Sequence, residues 1–175
     1  MRVAVTLVLG LLAAPPRAGA DPVRLEGAVT AGAALEDIGD DGYGPGLGPY
    51  IEGELGARVD HRVSLTGFAG YATWTYSCDE YDSCRNETWR FQLVDLGARA
   101  TAHFGSFVIG GGGGVEIERE FTWSSNPFIE AHLGYASQRR GAGFRFLASL
   151  GDTLAGDSAS NGHIVWMKLA VGVGF

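Results

Sequence analysis

The sequence predicts an all-β fold: a closed, eight-stranded, antiparallel up-and-down transmembrane β-barrel. Three observations predict it. From residue 22 onward, apolar and polar side chains alternate with the two-residue period of a strand. The alternating blocks number eight, at 22–34, 47–60, 62–76, 88–103, 106–120, 127–138, 142–151 and 163–175. Most reach the roughly 9–11 residues that a tilted strand needs to cross a bilayer. The segments between them alternate between long and short, as in barrels whose two ends face different compartments.

Residues 1–20 stand apart. Met1 and Arg2 lead into the apolar run Val3 to Ala14, and Ala18-Gly19-Ala20 precedes Asp21. A charged start, a short apolar run and an Ala-x-Ala end form the pattern of a secretory signal peptide, and the run is shorter than the ~20 residues of a spanning helix. Cleavage after Ala20 is expected, leaving 175 − 20 = 155 residues, 21–175, as one barrel domain. The leader holds two of 13 basic residues and none of 20 acids, so the remainder has a formal charge of 11 − 20 = −9. So acidic a chain excludes nucleic acid as a partner. The 28 glycines have no three-residue period and 46% of residues are apolar, which excludes collagen and disorder. Cys78 and Cys84 lie in a polar stretch, and in an exported chain they are expected to form a local disulfide.

The blocks differ in clarity. In 47–60, Leu47, Ile51, Leu55, Ala57 and Val59 stand opposite Tyr50, Glu52, Glu54, Gly56 and Arg58. In 62–76, Val63 and Leu65 share one face while Phe68, Trp74 and Tyr76 take the other. In 88–103, Trp89, Phe91 and Leu93 precede Val94 and Leu96 of opposite parity, so either a bulge or an upper part above the lipid is expected. The clearest block is 106–120, where Phe107, Ile109, Gly111, Gly113, Val115 and Ile117 oppose Val108, Gly110, Gly112, Gly114, Glu116 and Glu118. Phe144, Phe146, Ala148 and Leu150 oppose Gly143, Arg145 and Ser149, and Val165, Met167, Leu169, Val171, Val173 and Phe175 oppose Trp166, Lys168, Ala170, Gly172 and Gly174. Connections 35–46, 77–87 and 152–162 are long, 121–126 is of medium length, and the others are short. Trp74, Trp89, Trp123 and Trp166 fall beside the long connections, where an interfacial aromatic belt is expected, and Phe104, Phe107, Phe144 and Phe175 mark the other rim.

Few residues promise chemistry. Glu52, Glu54, Arg58, Asp95, Arg99, Glu116, Glu118, Glu130, Arg145 and Lys168 are expected to point mostly into the lumen. Since an unpaired buried charge costs several kcal/mol, a structural network of pairs is the favoured reading, with a gated ion path the alternative. The run Gly110 to Gly114 lacks a following Lys-Ser/Thr and a helix, so it is no phosphate loop, and room for large neighbouring side chains is the plain explanation. His61, His103, His132 and His163 have no second His or Cys at metal-ligand spacing. His132 with Glu130 and Ser149 meets only through cross-strand packing. The acidic connections, with Glu36, Asp37, Asp40 and Asp41 and then Asp79, Glu80 and Asp82, do not match a calcium loop. No metal or other cofactor is expected, and no catalytic residue is assigned. Partner binding by these loops with Tyr43, Tyr81 and Trp123 is their more natural use.

The terminal run Met167-Lys168-Leu169-Ala170-Val171-Gly172-Val173-Gly174-Phe175 makes the chain resemble the OmpA/OmpX-type eight-stranded bacterial outer-membrane barrels over essentially the whole of 21–175. The resemblance implies that Met167, Leu169, Val171, Val173 and Phe175 form the assembly signal read by the barrel-assembly machinery. It implies outer-membrane lipid and lipopolysaccharide as surroundings, both termini in the periplasm, and a non-enzymatic structural or loop-mediated adhesion or recognition role with an unidentified extracellular ligand. A lipid A-modifying enzyme and a narrow, porin-like channel for small solutes are the alternatives. Lipid A deacylases resemble a His-x-Ser pattern, whereas Val63, Gly105, Gly134 and Val165 stand two beyond each His here. A lipocalin-like soluble barrel is the remaining rival, and it differs in which face is apolar.

Overall fold

A computed structural model describes residues 23–37, 46–59, 62–77, 88–119, 123–137, 142–154 and 164–175. The leader, Cys78 and Cys84, His61, His163, Tyr43, Tyr81 and the loop acids Asp40, Asp41, Asp79, Glu80 and Asp82 lie outside them, as do the side chains of Glu36, Asp37, Tyr76 and Trp89.

Eight strands follow one another: β1 (Arg24–Asp37), β2 (Gly46–Val59), β3 (Val63–Ser77), β4 (Thr88–Phe104), β5 (Phe107–Arg119), β6 (Trp123–Ala136), β7 (Gly143–Thr153) and β8 (Ile164–Gly174). Each pairs antiparallel with the next, and β8 returns to β1 to close the barrel. Reciprocal backbone bonds of 2.9 Å between Gly27 and Phe175 finish the seam. Between β4 and β5 the chain reverses over Gly105-Ser106, with Gly105 at φ 65°, the left-handed conformation a tight hairpin requires.

The alternation read from sequence sets the two faces. On β2 the residues are buried and exposed in turn from Gly46 to Leu55, which sends Tyr50, Glu52 and Glu54 inward and Leu47, Ile51 and Leu55 outward. One expected boundary is corrected here, and of the two readings of 88–103 the bulge is excluded. The pairings of β4 run without interruption from Thr88 to Phe104 on β3 and β5 together, so the parity change at Leu93 and Val94 is no bulge. Leu93 faces inward and is fully buried because the upper interior is itself apolar, made of Ala34, Tyr50, Ala72, Trp74, Leu93 and Ala170 with Phe91 against them. Strand β6 also starts four residues before the expected 127. Pro127 is tolerated inside it because its carbonyl points toward β7, accepting from Leu154 at 2.7 Å, beyond the last paired position Phe128↔Thr153. A proline lacks only an N–H, and on that side none is needed.

Candidate functional site

The interior is where the charged residues converge. Parity puts all ten anticipated lumen residues on inward positions, and Arg99 at the middle of β4 becomes the hub. Its Nη1 donates to Glu52 Oε1 at 2.8 Å and to Glu54 Oε1 at 3.0 Å, while Nη2 reaches Glu52 Oε2 at 2.8 Å. Arg99 Nε lies 2.8 Å from Glu130 Oε1, and Arg145 Nη2 meets the other oxygen of Glu54 at 2.9 Å. Above this hub Lys168 pairs with Asp95. Glu116 accepts instead from the Thr153 hydroxyl, and Arg58 pairs with Glu26 at 2.9 Å, a residue outside the anticipated set. Glu118, half-buried at the upper rim, accepts from Ser124 at 3.5 Å.

The buried balance is uneven. Glu52, Glu54, Asp95, Glu116 and Glu130 make five carboxylates against the three cations Arg99, Arg145 and Lys168. Hydroxyl donors therefore share the work: Tyr50 to Glu52, Thr66 to Glu54 at 3.4 Å, and Thr153 to Glu116. These partners are uncharged, so a search for complementary charges overlooks them, although their strand parity marks them as inward.

Glycine explains how distant strands meet. On β5, Gly110 sits between Thr101 of β4 and His132 of β6, and Gly112 sits between Arg99 and Glu130. With no side chain in the middle seat, Thr101 Oγ1 reaches His132 Nε2 at 2.9 Å across the intervening strand, and Arg99 reaches Glu130. A Cβ on Gly112 would lie 2.8 Å from Arg99 Cβ and 2.4 Å from the Ala98 carbonyl, and one on Gly110 would lie 2.6 Å from His132 Nε2. The glycine run is a trough for its neighbours' side chains.

Rings fill the rest. Lys168 Nζ lies 3.7 Å from the Trp166 ring centroid, 4.8 Å from Tyr50 and 5.8 Å from Phe128, and Arg99 Cζ stacks 3.9 Å over Phe68. Phe128 packs edge to face on Trp166 and at a tilt against Phe68 below, with Trp74 stacked on Phe91 above. This corrects the aromatic belt. Trp74 and Trp166 are inside the barrel, 4% and 3% exposed, because they occupy inward positions of β3 and β8, whereas Trp123 is 63% exposed on the outer wall.

His132 is directly opposite Ser149, yet its bond goes to Thr101, and Glu130 Oε1 is 3.9 Å from Nδ1, too far for a hydrogen bond. A second pair, Ser64 Oγ and His103 Nε2 at 2.8 Å, also faces inward, and neither imidazole Nδ1 has a hydrogen-bond partner. Both pairs lack the orienting third group that nucleophile activation needs, and both are turned away from the outer wall. Among the described residues no group of three or more His, Cys, Asp or Glu could hold a metal.

That outer wall is apolar. Leu25, Val29, Ile51, Leu55, Ile109, Ile129 and Leu133 are at least 46% exposed, and Met167, Leu169, Val171, Val173 and Phe175 range from 39% to 65%. At one end Phe104, Phe107, Tyr135, Phe144 and Phe175 form an exposed aromatic rim. No helix among the described residues is long and apolar enough to cross a membrane, which says nothing of strands.

No protein-family model matches this chain, and no curated protein matches it. Solved structures do. Neisserial surface protein A (NspA) aligns with a TM-score of 0.60 at 14% identity, over 88% of this chain and 98% of that one. Ail, the attachment invasion locus protein of Yersinia pestis, in complex with the heparin analogue sucrose octasulfate, aligns with a TM-score of 0.50 at 14% identity, over 87% of this chain and 99% of that one. Both are eight-stranded outer-membrane barrels. At this identity the likeness is one of fold, and it runs the whole length of the barrel.

Proposed function

Starting from the eight-stranded architecture of OmpA/OmpX-like outer-membrane barrels, we propose that this chain is a non-enzymatic integral outer-membrane protein whose barrel supports the envelope and presents its long connections for adhesion or recognition. One observation carries the reading: the polarity is inverted. A wall of exposed Leu, Ile, Val and Phe surrounds an interior of ion pairs, which suits lipid outside and is unfavourable in water. In this reading the 1–20 leader is removed, both ends lie in the periplasm, and the exposed alternate residues from Met167 to Phe175 are the signal for the assembly machinery. Cys78 and Cys84 then staple the second long connection.

The interior supports a closed barrel. Arg99 with its three carboxylates and Lys168 among its rings occupy the axis of a barrel of this strand number, which has little lumen for solute. Lipid chemistry is disfavoured because His132 and His103 face away from lipid. The long connections carry Glu36, Asp37, Asp40, Asp41, Asp79, Glu80, Asp82, Glu87, Asp152 and Asp157 against Arg85, so a neutral or basic partner fits them better than a polyanion such as the sulfated sugar bound to Ail.

The test is fractionation with gel mobility before and after heating, for the full chain and for a Phe175 deletion. Outer-membrane recovery and a heat-modifiable band are expected. A soluble periplasmic product without that band refutes the placement, and turnover of radiolabelled lipopolysaccharide abolished by His132→Ala refutes the non-enzymatic reading.

A further inference from the structure

Four adjacent strands change character at one height on the outer wall. From the turn end upward, the outward positions of β4 are apolar from Phe104 to Val94, then become Gln92 and Arg90. Those of β5 are apolar or glycine from Phe107 to Ile117, then become Arg119. β3 passes from Tyr71 to Thr73, and β6 from Pro127 to Ser125 and Trp123. The pairings bring these together: Thr73 faces Gln92, Gln92 faces Arg119, and Arg119 faces Trp123. Arg90 is the diagonal neighbour of Arg119, and such positions lie about 7–8 Å apart, so both long side chains can reach one group between them.

Two adjacent like charges need a counterion. Both arginines are exposed, and neither belongs to the ion pairs described above for Arg58, Arg99, Arg145 and Lys168. Neutral neighbours position them instead. Arg90 Nε donates to Thr73 Oγ1 at 3.2 Å, Thr73 itself donates to the Phe91 carbonyl at 2.9 Å, and Arg119 Cζ lies 5.3 Å from the Trp123 ring centroid. These contacts use Nε of one arginine and a face of the other. The Nη donors remain, in the fork geometry that fits phosphate oxygens.

Height selects the partner. Phe107 to Ile117 spans 117 − 107 = 10 residue steps. That is about 33 Å along the strand and about 25 Å across a membrane at a tilt near 40°, the height of the apolar band in such barrels. Arg90 and Arg119 therefore stand just above the hydrocarbon, at the end opposite the aromatic rim of the short turns. We propose that Arg90 and Arg119, with Gln92 between them, bind a phosphate on the headgroup of an outer-leaflet glycolipid of the lipid A class. The site rests on the outer-membrane reading above, since it needs that leaflet beside β4 and β5.

The experiment compares bisphosphorylated with dephosphorylated lipid A for retention on the folded barrel, read by native mass spectrometry from detergent. Wild type is expected to retain the phosphorylated lipid at least about tenfold better, as for other charge-assisted phosphate contacts. The Arg90→Gln/Arg119→Gln variant should lose that preference while keeping its heat-modifiable band, and the Arg90→Lys/Arg119→Lys variant should keep part of it. Equal retention of the two lipids by wild type, an unchanged preference in the Gln variant, or displacement by millimolar inorganic phosphate overturns the proposal. A folded, heat-modifiable wild type without the preference sinks this site alone. A wild type that neither inserts into vesicles nor shows the band sinks the outer-membrane reading and the site with it.

Discussion

Replacing Arg99 by Met removes the hub of the interior while keeping its length. Arg99 is 3% exposed and holds Glu52, Glu54 and Glu130 at 2.8–3.0 Å. In the variant Tyr50 still donates to Glu52 and Arg145 still meets Glu54, but Glu130, whose oxygens accept no hydrogen bond among the described residues, loses its ion pair with Arg99. Removing one partner of a buried ion pair typically destabilises by about 3–5 kcal/mol, and three carboxylates losing one cation favour the upper half of that range. Against a total of about 5–15 kcal/mol this is a large fraction. With a urea dependence near 2 kcal/mol per molar, the unfolding midpoint should fall by roughly 2–2.5 M. The assay is urea titration of the refolded barrel followed by tryptophan fluorescence and the heat-modifiable band. Adding Glu52→Gln and Glu130→Gln to Arg99→Met should recover more than half of the loss, because the uncompensated charges are then gone. A midpoint unmoved by Arg99→Met, or a triple variant no better than the single one, would refute the argument that the hub exists to neutralise these carboxylates.

Three further outcomes are expected. Gly112→Val should abolish refolding, since even a Cβ would stand 2.4 Å from the Ala98 carbonyl, whereas Gly53→Ala on the outer wall meets nothing within 4 Å and should leave the stability from urea titration within about 0.5 kcal/mol of wild type. Deleting Phe175 removes both backbone bonds to Gly27 and an aromatic residue that is 65% exposed, so the heat-modifiable fraction in an assembly assay should drop several-fold; an unchanged yield would count against its role as signal. In planar bilayers the wild type should be electrically silent, because Lys168 and the Trp166, Tyr50 and Phe128 rings fill the axis; discrete conductance steps would show that a path exists past them.

Strand parity made the fold legible. In β5, the opposition of Phe107 and Ile109 to Glu116 and Glu118 separates the two faces, and the same rule groups Arg99, Glu52 and Lys168 on the polar one; that this face is inward follows from the membrane-barrel reading, and the burial of all three agrees with it. Parity also contained the answer for Trp74 and Trp166. A belt assigned by height along the chain ignored that both sit at inward positions, and direction outranks height because a side chain cannot cross its own strand. What sequence could not supply was depth of partnership. That Arg99 meets Glu130 depends on Gly112 standing between them, a relation set by the stagger of β4, β5 and β6 rather than by spacing along any one of them. The hydroxyl partners of Glu52, Glu54 and Glu116 were hidden for a related reason: no charge announces them.

The β1–β8 seam has a consequence of its own. Seven of the eight ladders join strands that are neighbours in the chain and can zip from a hairpin, but the seam pairs Ala28 with Gly174, 174 − 28 = 146 residues apart. Closing a free loop of that length costs about 4 kcal/mol in chain entropy, far more than a hairpin turn, and the final bonds of the seam tie Gly27 to Phe175. The cylinder thus stays an open, edge-exposing sheet until β1 and β8 meet, and a circular permutant that joins β8 to β1 and cuts at Gly105-Ser106 would move that vulnerable edge to β4 and β5 without altering a single wall contact.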